Sequence, residues 1–245
     1  EFAAKDAQAL AELFRTRAKP LYAEVNAAEL VDSAATKEAI RDVLKSAAEQ
    51  TDLEDTLVVF FAGHGAMVGQ RYYFLPHELA KSAERLEDDI RAQGLPADEI
   101  SDYLGRAKAL KRVLIFDTCA SGGAVALAGG DRSSFALRGA IERLSRSQGV
   151  FTLAASSSEE AAKESKQLGH GVLSYTLLAG LGGVDVGPLA EQRIRPTSPD
   201  QVVDVLEWFS YAAGHVPRLS ERYFGVGQSV QTSTQGSSFP VLRVE

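Results

Sequence analysis

The chain has 245 residues, of which 45% are hydrophobic and 24% are charged. A chain of this length and composition can bury the core of one α/β domain, and it is too apolar to be disordered. Its net charge is −7, from 33 acidic and 26 basic side chains, so a phosphate backbone would be repelled. No stretch approaches the 18 or more consecutive apolar residues of a membrane span. We therefore expect neither nucleic acid nor a membrane as a partner.

The chain contains a single cysteine, Cys119, which excludes an intramolecular disulfide. A lone thiol fits a reducing compartment, and we expect a cytoplasmic protein. The first residue is Glu1 and the only methionine is Met67. We therefore expect the chain to be part of a longer protein.

The hydrophobic pattern predicts strands that alternate with helices. Helical periodicity covers residues 3–16, 36–48, 97–109, 171–181 and 199–213. Continuous apolar runs, typical of strands buried on both faces, cover 56–62, 112–116 and 150–155. Shorter strands are predicted at 21–25, 72–75 and 239–244, and loops at 128–134 and 225–238. This order predicts a single α/β domain over residues 1–245, with a mostly parallel sheet covered by helices on both sides.

Two of the buried strands lead into unusual sequences, where functional residues of open α/β sheets collect. The first runs LVVFFAGHG and carries His64, and the second runs RVLIFDTCASGG and carries Cys119. If the two strands are parallel neighbours, these residues lie within a few ångströms of each other at one end of the sheet. An ordinary thiol with a pKa of about 8.5 is mostly protonated at neutral pH, and a nearby imidazole activates it for acyl transfer.

Each of these residues also has an ordinary structural interpretation. A lone cysteine is often a small buried hydrophobe, and a histidine between glycines can be a satisfied loop residue. Their occurrence at the ends of two strands of one sheet favours catalysis. Because the sequence has little side-chain bulk here, the backbone N–H groups of Gly65 and Cys119 are the candidate donors of an oxyanion hole.

The segments VVFFAGHG and VLIFDTCASGG resemble the histidine and cysteine motifs of the caspase-like peptidases, which include caspases, metacaspases and bacterial orthocaspases. The two motif residues are 55 positions apart, close to the spacing of about 50 in caspases. The resemblance implies a caspase-like three-layer α/β/α sandwich. It also implies a His64–Cys119 dyad acting through a thioester acyl-enzyme. Such domains open with an apolar strand, which we expect upstream of this sequence.

Asp117 stands two residues before the cysteine, where caspases carry glutamine. A carboxylate there would attract Arg or Lys of a substrate and repel Asp. By resemblance to metacaspases and orthocaspases, Asp117 belongs to the S1 pocket, and the expected substrate is a protein or peptide cut after a basic residue. The alternative is that Asp117 caps the next helix. Glu164, after the third buried strand, is a candidate second acidic contributor.

The stretch 123–140 follows the cysteine and contains Arg132 and Arg138. In the enzymes that this chain resembles, the corresponding region is an activation loop between the large and small segments. We expect self-cleavage after one of these arginines. A solvated loop that is never cut remains the alternative.

Other functional classes fit less well. A cysteine phosphatase or sulfurtransferase would need an arginine six positions after the cysteine, and that position is Val125. His64 and His77 have no third ligand in the pattern, so we expect neither a metal nor another cofactor, and calcium dependence is left open. The rival interpretation is a latent or non-catalytic caspase-like domain that binds partners or signals. A fused or separate regulatory domain is a further expected partner.

Overall fold

The computed structural model describes residues 2–79, 86–120, 139, 149–156, 166–225, 227–234 and 236–244. The chain forms two compact units. The sheet unit consists of Leu30–Ala162 and Gln231–Gln235, and the helical unit consists of Glu1–Glu29, Lys163–Val230 and Gly236–Glu245.

Helices and strands are interspersed along the described chain. The helices are α1 (Ala3–Arg17), α2 (Lys37–Gln50), α3 (Leu86–Gln93), α4 (Ala97–Arg106), α5 (Val172–Gly180) and α6 (Val205–Phe224), with a 3₁₀ turn at Asp32–Ala34. The strands are β1 (Thr56–Val68), β2 (Arg71–Leu75), β3 (Leu95–Pro96), β4 (Lys111–Ala120), β5 (Phe151–Ser156), β6 (Val202–Asp204), β7 (Ser229–Ser233) and β8 (Pro240–Arg243).

Six of these strands form one sheet in the order β3-β2-β1-β4-β5-β7. The three apolar runs form its centre, where β1 pairs with β4 and β4 with β5, both in parallel. β2 joins β1 and β3 through antiparallel pairings on one side. The expected α/β fold with a parallel sheet centre is confirmed, and the sheet as a whole is mixed.

Strand alternation separates two sets of side chains at the carboxyl ends of β1 and β4. The parallel register pairs Ala62 with Asp117 and His64 with Cys119. Because residues two apart on a strand share a face, Ala62, His64 and Asp117 lie on one side, which we call the motif face. The other side, which we call the aromatic face, carries Phe61, Gly63, Gly65, Tyr72, Phe74, Phe116 and Thr118.

The aromatic face is part of the hydrophobic core of the sheet unit. The Phe61 ring stacks on Phe116 with centroids 5.3 Å apart and contacts Phe74 at 4.8 Å, while Tyr72 meets Phe116 edge-on at 5.4 Å. Leu95, Ile100 and Leu104 close the same cluster from β3 and α4. Aromatic pairs of this kind contribute about 0.5–1.5 kcal/mol each beyond their buried area. This packing supports the carboxyl ends of β1 and β4, which we call the motif strands.

The helical unit is organised around α5, which is buried along its whole length, and the buried face of the amphipathic helix α6. The Trp208 indole, which is fully buried, donates to the Leu177 carbonyl oxygen at 3.0 Å and joins the two helices. Asp204 begins α6 with a capping box, because its carboxylate accepts from the Glu207 N–H while the Glu207 side chain accepts from the Asp204 N–H. β6 and β8 form a separate antiparallel pair in this unit.

Several predicted elements need correction. Residues 21–25 do not form a strand, because the N–H groups of Leu21 and Tyr22 both donate to the Ala18 carbonyl and the chain turns after α1. The helix predicted at 199–213 begins only at Val205, after the Asp204 cap and a short strand, and it continues to Phe224. The predicted loop 225–238 contains β7, and α3 and β3 were not predicted.

Among the residues that the structure describes, no helix is both long and apolar enough to cross a bilayer.

Candidate active site

His64 and Cys119 are register partners on adjacent parallel strands. Neighbouring strands lie about 4.8 Å apart, so the two backbones are as close as strand pairing allows. Both residues lie within strands. The sequence pattern predicts them in the loops that follow these strands, and this prediction is wrong. The strands continue because residues 64–68 of β1 also pair with β2, and because β4 runs alongside as far as Ala120. The His64 side chain is exposed.

Two glycines flank His64 for different physical reasons. Gly63 has a φ of +141°, a conformation that L side chains rarely adopt, so the residue before the histidine must be glycine. Gly65 is buried in the sheet, where it pairs with Phe74 on one side and Ala120 on the other. A Cβ atom at Gly65 would lie 2.0 Å from the Tyr72 hydroxyl oxygen, so close packing also requires glycine at this position.

Asp117 is 7% exposed and lies on the motif face with His64. β4 continues for three residues beyond it, to Ala120. A helix N-cap directly precedes the first helical residue, so the alternative that Asp117 is the N-cap of the next helix is wrong. A buried carboxylate is unfavourable unless it is compensated by hydrogen bonds or a positive charge.

Tyr72 and Thr118 are the site residues that sequence reasoning missed. Tyr72 is 2% exposed and Thr118 is 3% exposed, and their hydroxyl groups are hydrogen-bonded to each other. The available signal was a tyrosine on a short strand next to the histidine motif, because a buried tyrosine hydroxyl usually has a partner. The partner lies 46 residues away in the sequence, and only the fold reveals it.

The remaining predicted residues lie elsewhere. Glu164, Arg132 and Arg138 fall outside the described residues, so the second S1 carboxylate and the self-cleavage sites stay predictions. The His77 side chain is exposed, and its backbone N–H donates to the Ala35 carbonyl oxygen at 3.0 Å. In the helical unit, His170 Nδ1 lies 2.6 Å from Asp6 Oδ1 and therefore has a structural partner.

Within the described parts of the chain, no cluster of three or more His, Cys, Asp or Glu side chains is arranged to hold a metal ion. A cavity of about 480 Å³ lies in the helical unit, where Glu191, Arg193, Arg195 and Gln201 contribute polar groups. Its lining includes none of the motif residues.

Comparison with known proteins gives both a structural and a family relationship. The chain is similar to the crystal structure of protein GSU0716 from Geobacter sulfurreducens, with a TM-score of 0.56 and 15% identity, over 95% of this chain and 83% of that one. At this identity the likeness shows the fold alone. A search of curated proteins found no match. The family model of the caspase domain matches residues 2–216, and the chain therefore belongs to this family of cysteine peptidases.

Proposed function

We propose that this caspase-domain protein is a cysteine endopeptidase that cleaves peptide bonds after Arg or Lys, with His64 and Cys119 as its catalytic dyad. The observation that carries the proposal is the register of β1 and β4, which pairs the only cysteine of the chain with a histidine. Positions two apart on a strand share a face, so we expect Cys119 on the motif face with Asp117 and His64.

The proposed reaction is an acyl transfer through a thioester. The His64 imidazole accepts the proton of the Cys119 thiol, and the sulfur attacks the carbonyl carbon of the scissile bond. The tetrahedral intermediate collapses when the amine leaves with the proton from His64. Water, activated by the same imidazole, then hydrolyses the thioester and restores the thiol.

Developing negative charge on the carbonyl oxygen needs donors that are already in place. The proposed donors are the backbone N–H groups of Gly65 and Cys119, one on each motif strand. Both groups belong to the strands that carry the proposed dyad. Preorganised donors of this kind require little reorganisation when the oxyanion forms.

Asp117 is the proposed determinant of the preference for basic residues. Its carboxylate is nearly buried and lies on the face that carries His64. The guanidinium of a substrate arginine would pair with it in a partly desolvated environment, where charge pairs are stronger than in water. A substrate aspartate at the same position would bring two carboxylates together and would be rejected.

The test is a panel of fluorogenic peptides that differ only in the residue before the scissile bond: Arg, Lys, Asp or Leu. It is run on the wild type and on Cys119→Ala, with and without calcium. We expect hydrolysis after Arg and Lys in the wild type and none above background in the variant. Treatment of the wild type with iodoacetamide should remove the activity in step with alkylation of the single thiol.

Each alternative has its own outcome in this panel. Hydrolysis only after Asp would contradict the assigned specificity. Activity that survives Cys119→Ala would contradict the enzyme class. A wild type that is folded and inert toward every peptide, with or without calcium, would favour the latent or non-catalytic binding module.

A further inference from the structure

We propose that Tyr72 is a positioning residue of the active site, and that its hydroxyl group holds the two motif strands in the arrangement that brings His64 and Cys119 together. The inference rests on the dyad proposed above. Tyr72 is on the aromatic face, opposite the motif face. It therefore acts on the dyad through the backbones of the two motif strands and does not contact the substrate.

The first contact joins Tyr72 to the cysteine strand. Its hydroxyl is hydrogen-bonded to the Thr118 hydroxyl, and both side chains are almost completely buried. Thr118 stands directly between Asp117 and Cys119 in β4. A change in its position therefore changes the position of the proposed specificity residue and of the nucleophile.

The second contact joins Tyr72 to the histidine strand. A Cβ at Gly65 would lie 2.0, 2.5 and 2.7 Å from Oη, Cζ and Cε2 of Tyr72, so the phenol lies directly against the Gly65 backbone. Gly65 follows His64 in β1. One phenol group thus contacts the residue beside each member of the dyad.

Packing alone does not explain a tyrosine at this position. The ring meets Phe116 edge-on at 5.4 Å inside a cluster of apolar side chains, and phenylalanine would supply the same ring. A buried hydroxyl is unfavourable unless it is hydrogen-bonded, and here it pairs with a second buried hydroxyl. The two hydroxyl groups form a directional link between β2 and β4 across β1, which an apolar contact would not supply.

The neighbouring Tyr73 provides a matched control on the same strand. It is 5% exposed, but it lies on the opposite face of the sheet and packs with Ala66, Val68 and Ile90. Its hydroxyl interacts with the Arg71 guanidinium, which lies in β2. Tyr73→Phe therefore removes the same atom from a similarly buried ring without affecting the Thr118 link.

The experiment measures kcat and KM for an arginine peptide, and the rate of Cys119 alkylation by iodoacetamide as a function of pH. For Tyr72→Phe we expect about a tenfold loss of kcat with KM within twofold, because small displacements of reacting groups lower the rate strongly. We also expect the midpoint of the alkylation profile to move toward the ordinary thiol pKa of about 8.5. Tyr73→Phe should leave both readouts within twofold of the wild type.

The link between the hydroxyl groups is tested with Thr118. Thr118→Val should reproduce the loss of Tyr72→Phe, and Thr118→Ser, which keeps a hydroxyl, should restore at least half of kcat. The double variant Tyr72→Phe/Thr118→Val should lose no more than either single variant, because both remove one interaction. Losses that multiply in the double variant would overturn the proposal, as would a Tyr72→Phe enzyme equal to Tyr73→Phe in both readouts.

These readouts separate the positioning role from the proposed function. If the wild type hydrolyses no peptide, the endopeptidase proposal fails, while the alkylation profiles still decide whether Tyr72 controls the thiol. If peptides are cleaved and neither kcat nor alkylation responds, only the positioning role fails. Unfolding in urea is measured for every variant, and if Tyr72→Phe does not fold, the comparison of Thr118→Val with Thr118→Ser decides alone.

Discussion

The two faces of β1 and β4 differ sharply over a span of a few residues. The motif face carries an exposed His64 and a nearly buried Asp117, whereas the aromatic face carries stacked rings and one hydrogen-bonded pair of hydroxyl groups. Alternation along the strands separates these two sets. The exposed imidazole and the buried carboxylate therefore lie on one side of these strands, and the stacked rings lie on the other. Substitutions on the two faces should accordingly have different consequences, and three variants test that difference.

The largest expected effect comes from His64→Ala on the motif face. Loss of the general base should lower kcat/KM for an arginine peptide by three to four orders of magnitude. Because the side chain is exposed, the free energy of unfolding should change by less than about 0.5 kcal/mol. Steady-state kinetics and urea titration measure the two quantities. A variant that keeps more than a tenth of the activity would show that His64 is not the base.

Phe116→Ala tests the aromatic face, where we expect a large loss of stability, in contrast to the loss of activity expected for His64→Ala. Phe116 is 2% exposed and contacts both Phe61 and Tyr72. Its truncation should reduce the free energy of unfolding by about 3–5 kcal/mol, through lost burial and the cavity left behind. Phe116→Leu is the control and should cost clearly less, since it fills most of the space. A loss below about 1 kcal/mol for Phe116→Ala would mean that this face does not stabilise the motif strands.

The smallest of the three effects is the change of specificity in Asp117→Asn, a variant on the motif face. Removing one partner of a desolvated charge pair should lower kcat/KM for arginine peptides by about 100-fold, equivalent to about 2.7 kcal/mol. Asparagine keeps the shape of the side chain, so hydrolysis of a leucine peptide serves as the internal control. An unchanged ratio of arginine to leucine cleavage would remove Asp117 from the S1 pocket.

The prediction of the fold succeeded where long apolar runs were present. The three central strands are rich in β-branched and aromatic residues, and their burial on both faces leaves a clear signal in the sequence. The prediction failed where strand pairing determines the structure against the preference of the local sequence. Glycine-containing residues 63–68 remain in β1 because β4 pairs with it as far as Gly65 and β2 pairs with residues 64–68, and the polar strand β7 lies at the edge of the sheet.

The candidate site was likewise predictable only where it depends on the long apolar strands. A histidine and a cysteine at the ends of two adjacent buried strands were enough to predict that their backbones would meet. The N-cap alternative for Asp117 depended on where β4 ends, and strand ends depend on the neighbouring strand and not on local sequence. Tyr72 lies in a predicted strand, but the sequence assigned it no role, because its hydrogen-bond partner is a threonine 46 residues away.

By itself the amino-acid sequence determined which groups are available: one thiol, an imidazole between two glycines and a carboxylate near the thiol. It also determined the order of strands and helices, because burial on two faces and amphipathic periodicity are local properties. Only the tertiary structure decided which residues share a face and which hydroxyl groups meet. Register is a relation between strands distant in sequence, and a shift of one residue would exchange the two faces.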